Sequence, residues 1–273
     1  MRNFLKTFII LLFSANLTSQ SIVNTEKLFT TNDEGLGISS ELSGSSISGN
    51  ASVLLLEYSL NFSYKNKKHY LRFLSGGENI KESNEEVSNS LFTQLRYNYF
   101  IDKKSRFFSF AQIQSNAILL LEQRLLLGGG YRRNLIDIKV DTSKRYELDL
   151  SAGIMQEKEL LNTPDGFTAI EDQKNRNYTR AIFSLVGIID IKDKFTIVNT
   201  TYFQQYIKNM DDFRLLNETN FMVHLNEWLS IGVDFEYRFD SDPPKANNAA
   251  NGNPIEILKP KDFNTNLGLV FNI

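Results

Sequence analysis

Long runs of residues alternate apolar and polar with a period of two. No segment sustains the 3.6-residue period of an amphipathic helix. Leu229, Ile231, Val233, Phe235, Tyr237 and Phe239 alternate with Ser230, Gly232, Asp234, Glu236, Arg238 and Asp240. Leu54, Leu56, Tyr58, Leu60, Phe62 and Tyr64 do the same against Val53, Leu55, Glu57, Ser59, Asn61 and Ser63, and similar runs start near Leu91, Tyr146 and Phe263. A strand turns successive side chains to opposite faces, so each run carries one apolar and one mostly polar face. Several runs exceed ten residues. Soluble strands average about five or six, whereas crossing a bilayer at a tilt takes about 9–11.

The pattern predicts about twelve strands, at 35–44, 51–64, 67–76, 87–101, 104–119, 124–140, 144–157, 177–190, 193–207, 212–225, 227–240 and 261–273. Faces are mixed in 104–119, 124–140 and 177–190. Bulges are expected there, above all around Gly128, Gly129 and Gly130. Connections after even strands are brief and mostly polar: 65–67, 102–104, 141–143, 191–192 and Asn226. The long ones, 77–86, 159–175 and 240–260, all follow odd strands. The last holds Pro243, Pro244, Pro254 and Pro260 and is expected to be irregular and exposed. Such sorting fits an up-and-down sheet with short turns at one end and loops at the other, with both termini on the turn side.

A soluble β-sandwich also alternates, because one face of each sheet packs on a core. Strand length argues for a membrane barrel instead. So do aromatics near strand ends (Tyr64, Tyr97, Tyr99, Phe107, Tyr237, Phe239, Phe271) and polar faces rich in long charged groups. In lipid every backbone group must be bonded internally, which a closed barrel achieves. The fold expected is therefore all-β, an antiparallel transmembrane β-barrel of about 12 strands over residues 35–273.

The N-terminus reads as a cleaved export signal over residues 1–19. Arg2 and Lys6 precede the apolar run 8–13, which is too short to span a bilayer, and small and polar residues follow. Residues 20–34 then form an N-terminal periplasmic segment. Removing residues 1–19 takes two basic and no acidic side chains from 30 basic and 32 acidic, moving the net charge from −2 to −4. That balance excludes a basic nucleic-acid binder. With no cysteine, the chain has no disulfide framework, thiolate metal site or lipidated N-terminal cysteine.

Residues 33–273 resemble the salt-induced outer-membrane protein family, the domain of unknown function 481. The resemblance rests on the run of long strands, the segment Leu127-Gly128-Gly129-Gly130-Tyr131-Arg132, and the amphipathic end at 263–273. It implies an outer-membrane β-barrel of a Gram-negative cell envelope. No catalytic signature or functional residue comes with it. The final strand ends on Ile273 rather than on an aromatic, with Phe271 two residues earlier on the same face.

The polar faces place Glu41, Glu57, Arg72, Arg96, Glu147, Asp149, Arg180, Arg214, Glu218, Asp234, Glu236 and Arg238 toward the lumen. They read either as a selectivity lining or as salt bridges that fill a narrow barrel. The near balance of signs favours the second, since a selective pore shows one sign. No enzymatic activity is expected: of the two histidines, neither His69 nor His224 has a serine two residues away on its own strand. Acidic loop residues such as Asp165, Asp240 and Asp242 match no calcium-loop spacing, and no cofactor or metal site is expected. The partners implied are the outer-membrane bilayer and the barrel assembly machinery, with small solutes or ions as candidate cargo and no nucleic acid. Three readings stay open: a narrow channel or stress-related structural barrel, a non-enzymatic binder acting through loops 159–175 and 240–260, and a secreted soluble sandwich. For a barrel, Ile231 and Val233 are expected to face lipid.

Overall fold

The computed structural model describes residues 34–47, 53–82, 85–117, 119–141, 143–192, 194–226, 229–250 and 252–271. The export signal, nearly all of the N-terminal segment and Ile273 lie outside the described residues. Twelve strands form one antiparallel sheet: β1 (Gly35–Ile47), β2 (Val53–Asn66), β3 (His69–Glu82), β4 (Glu85–Phe100), β5 (Ser105–Asn116), β6 (Leu121–Asp141), β7 (Lys144–Leu161), β9 (Asn175–Ile191), β10 (Phe195–Tyr206), β11 (Phe213–His224), β12 (Leu229–Asp240) and β15 (Lys261–Phe271). Each strand is bonded to the next in that order. The outermost strands β1 and β15 come together, so the sheet curls round into a barrel. Three short elements sit in the two longest connections: β8 (Phe167–Thr168) and helix α1 (Glu171–Lys174) before β9, and β13 (Lys245–Asn248) and β14 (Pro254–Glu256) before β15. No helix among the described residues is long and apolar enough to cross a membrane, which does not bear on strands.

The polarity of this barrel is reversed relative to a soluble protein. Among the described residues, 28 polar or charged side chains are buried against 12 apolar ones, while Leu54, Leu127, Ile138, Ile154 and Phe183 are among many large apolar side chains left exposed. Among the described residues no second layer covers the polar face, so its burial comes from curvature: those side chains meet one another in the lumen. The exposed apolar face is the surface a bilayer would solvate. Aromatics ring its turn end, where Phe107 meets Tyr131 with centroids 5.7 Å apart and His69 lies 5.4 Å from Tyr99. Near the loop end Phe203, Phe213 and Phe239 stack in a ladder across three strands.

The expected strand order and the tight turns agree with the structure, but several details differ. Residues 77–86 are not a long loop. Strands β3 and β4 continue to Glu82 and Glu85, with pairs from Gly77↔Leu91 to Glu82↔Glu85 and a register shift after Ile80. This stretch is too polar to resemble a membrane strand, yet neighbouring strands satisfy its backbone equally well. Segment 240–260 is not irregular either: β14, β13 and β8 form a separate three-stranded sheet, and Pro243 and Pro244 are buried. The bulges lie elsewhere than Gly128–Gly130, which pair regularly with Met155, Ile154 and Gly153. The irregular steps come after Leu121, Asn134 and Lys139.

Candidate functional site

The lumen gathers the charged side chains, and alternation decides which they are. In β7 the inward row runs Glu147, Asp149, Ser151, Gly153, Met155, Glu157 and Glu159. In β6 Arg124, Leu126 and Arg132 share the inward face. Near the loop end these rows converge on a buried ionic cluster. Arg214 Nη1 lies 2.9 Å from Glu157 Oε1 and 3.1 Å from Glu159 Oε1, and its Nε lies 3.0 Å from Asp240 Oδ2. Arg180 bonds Glu157 and Asp212, each at 2.8 Å. Arg124 Nε donates to Glu159 Oε1 at 2.6 Å and lies 3.2 Å from Glu157. None of these side chains is more than 3% exposed. Arg214 on β11 and Glu157 on β7 are three strands apart around the wall, so their contact bridges the lumen.

The long connections lie over this cluster. Arg176 Nη1 donates to the Asp242 carbonyl at 3.3 Å and its other terminal nitrogen to Gln173. Ala249 N–H bonds Gly166 O at 3.0 Å, joining the two connections. Beneath them Leu119, Leu121 and Leu161 form an apolar cluster. Towards the middle, Phe108, Leu126, Met155, Val186 and Leu216 are buried inward among polar groups such as Gln94 and Gln112, bonded to each other at 2.6 Å.

The turn end is open. A cavity of about 680 Å³ is bounded by Lys65, Lys67, Lys68, Lys103, Arg106, Arg132, Arg145, Glu147 and Asp149, among others. Asp149 accepts from Arg132 at 2.7 Å, Arg106 at 3.1 Å and Asn134 at 2.8 Å. Two arginines on one carboxylate leave a positive excess on this wall.

The residues expected in the lumen therefore fall into separate groups. Arg180 and Arg214 belong to the loop-end cluster, and Glu147 and Asp149 to the turn-end vestibule. Arg72 and Arg96 are buried between β3 and β5, with Arg96 over the Phe108 ring at 5.2 Å. Glu218, Asp234, Glu236 and Arg238 form an inward patch on β11 and β12: Arg238 pairs with Glu236 at 2.6 Å, and Asp234 accepts from Asn220 at 2.8 Å. Glu57 faces Glu78 across the β2–β3 ladder. Glu41 pairs with Ser59 in β1, but its side chain lies outside the described residues. The sequence reading missed Arg124, Arg132, Arg176, Glu157, Glu159, Asp212 and Asp240. Parity was the signal for the β7 pair, since Glu157 and Glu159 continue the row of Glu147 and Asp149; ending the strand at 157 left Glu159 outside it.

His224 has partners that its own strand does not reveal. Nδ1 meets Ser230 Oγ across the β11–β12 turn, and Nε2 meets Thr196 Oγ1, both at 2.9 Å. Thr196 donates to Asp190 at 2.9 Å, so it accepts from Nε2–H, and Nδ1 accepts from Ser230. The polarity is that of a hydrolase relay. Ser230, however, is 0% exposed, and no substrate carbon reaches its Oγ in this geometry. The relay ties four strands together. His69, on the outer face, contacts the Tyr97 hydroxyl at 2.7 Å.

The family described as "Protein of unknown function, DUF481" matches residues 40–273. No curated protein matches. Among solved structures, a NanC porin aligns at 9% identity with TM-score 0.45, covering 86% of this chain and 99% of that one. The translocator domain of autotransporter NalP from Neisseria meningitidis aligns at 10% identity with TM-score 0.38, covering 100% and 94%.

Proposed function

We propose that this chain, which belongs to the DUF481 family, is a non-enzymatic outer-membrane barrel whose lumen is sealed at its loop end, a structural element of a Gram-negative envelope rather than an open channel. The reversed polarity supports the membrane reading, because a bilayer solvates the apolar outer face while the inner face satisfies its own charges. The observation that carries the closed lumen is the bridge from Arg214 to Glu157 and Glu159, with side chains at most 3% exposed. These pairs occupy the lumen beside β6 to β12, and removing one partner of a buried pair costs about 3–5 kcal/mol. The burial of Ser230 supports the absence of hydrolysis. The turns face the periplasm, where the assembly machinery delivers the chain after export.

Planar-bilayer recording tests this. Purified mature protein is expected to give no steady conductance, and Arg214→Ala with Glu157→Ala to give intermittent openings. A steady ohmic level from the unaltered protein would overturn the closed lumen. A second reading, a surface binder, is favoured by one observation: β8, β13 and β14 turn the two long connections into an ordered sheet rather than free loops.

A further inference from the structure

The barrel wall has a step at its turn end. Strand β5 begins at Ser105, opposite Arg133 on β6. One more bond follows, from Asn134 N–H to Lys104 O at 2.7 Å. Beyond Asn134, β6 runs on to Asp141 with β7 on one side and, among the described residues, no strand on the other. Seven residues at about 3.3 Å each leave roughly 23 Å of strand edge without a ladder. Ile136 and Ile138, paired with Leu148 and Tyr146 on the outer face, are 40% and 53% exposed, and Val140, at the irregular step after Lys139, is 62% exposed.

These two properties conflict in any single solvent. Open backbone is not tolerated in hydrocarbon, and contiguous branched apolar side chains disfavour water. Both are satisfied at the headgroup boundary, where phosphates and water reach the backbone while acyl chains cover the side chains. The charges flanking the step fit that level. Lys103 and Lys104 lie on the β4–β5 turn, and Arg133 is exposed beside Tyr131, to whose hydroxyl it hydrogen-bonds. Asp102 is the acidic group among them, so the shelf keeps a net charge of +2 in a chain of net −2. Asn134 and Asp137, on the inner side of the same stretch, bound the vestibule, which therefore opens onto the step.

We propose that the step is a lateral port that holds an anionic phospholipid of the turn-side leaflet. Its phosphate lies against Lys103, Lys104 and Arg133, and its acyl chains run along Ile136, Ile138 and Val140. The inference rests on the membrane reading above and adds a ligand class and a place for it.

The chain has no cysteine, so Ile138→Cys gives a single site for a fluorophore. The labelled full-length mature barrel is reconstituted into vesicles of phosphatidylcholine with a minor fraction of nitroxide-labelled phosphatidylglycerol or nitroxide-labelled phosphatidylcholine. The expected result is a preference for phosphatidylglycerol of about fivefold or more in quenching. It should be lost in Lys103→Gln/Lys104→Gln/Arg133→Gln and be unmoved by inorganic phosphate at matched ionic strength. Equal quenching by both lipids, or a preference that survives the triple substitution, would overturn the port. Displacement by inorganic phosphate would overturn the lipid in favour of a small anion. A gel shift on boiling, run on the same vesicles, separates the two layers. Inserted barrels with equal quenching defeat the port alone, while failure to insert defeats the membrane reading and the port with it.

Discussion

Asp102 lies in the β4–β5 turn, outside the membrane-spanning strands, and its Oδ1 accepts Lys104 N–H at 2.7 Å. That backbone bond holds its carboxyl below the ordinary value of 3.8. A depressed folded-state pKa gives stability that is present above the unfolded value and lost as pH falls through the folded one. Asp102→Asn is thus expected to lower the urea midpoint of the reconstituted barrel at neutral pH, with the gap closing below about pH 3.8; a gap unchanged at low pH would remove the charge from the explanation. On the outer face, depth in the bilayer sets the cost of a charge. Ile231 is only the third residue of β12 from the turn end, whereas Phe235 lies mid-strand and is 42% exposed. Arginine is expected to cost about 2–4 kcal/mol at Phe235 and about 0–1 kcal/mol at Ile231. Equal costs in a folding titration would contradict the facing or the depth of this strand.

At the scale of elements, β6 and β7 approach too closely for side chains where their glycines meet. A Cβ on Gly130 would stand 2.2 Å from the Ala152 carbonyl, and one on Gly153 would stand 2.3 Å from the Gly129 carbonyl. The glycine run serves close approach and not a bulge, consistent with the regular pairing there. Gly130→Ala is expected to cost about 1–3 kcal/mol because the ladder must open to admit the methyl group. Gly187, where the nearest atom to an added Cβ is 3.9 Å away, supplies the control: Gly187→Ala should stay within about 0.5 kcal/mol. Comparable losses at the two positions would mean that β-propensity, not contact, sets the effect.

At the scale of the molecule, stability and closure share one structure. Glu157 contacts Arg124, Arg180 and Arg214, which project from three different strands. Glu157→Ala leaves these guanidinium groups one carboxylate short in a buried site, at an expected cost of about 3–5 kcal/mol. The checking measurement is the temperature at which the folded, fast-migrating form disappears in detergent. That temperature should fall, and the conductance of the variant should begin to flicker. A variant as resistant as the parent would show that lumen packing carries the load without the ion pairs.

Period-two alternation determined most of the fold. Side chains on a strand have only two directions, so Leu229–Phe239 and Leu54–Tyr64 announce their outer faces locally, and polar residues in the opposite parity mark the inner face. The same logic put Asp149, Arg180 and Arg214 on the inner face. It failed where composition hid pairing, as in the polar ends of β3 and β4 and in the proline-containing connection. A ladder is made by neighbouring backbone, whatever the side chains suggest. Only the tertiary structure decided which inward charges meet. Glu157 and Arg214 are 57 residues apart and join because curvature turns the inner faces of β7 and β11, three strands apart, toward each other. His224 finds Ser230 and Thr196 only through the register of adjacent hairpins. The step at β6 likewise exists because two neighbouring strands end eight residues apart, a difference that neither strand's own sequence contains.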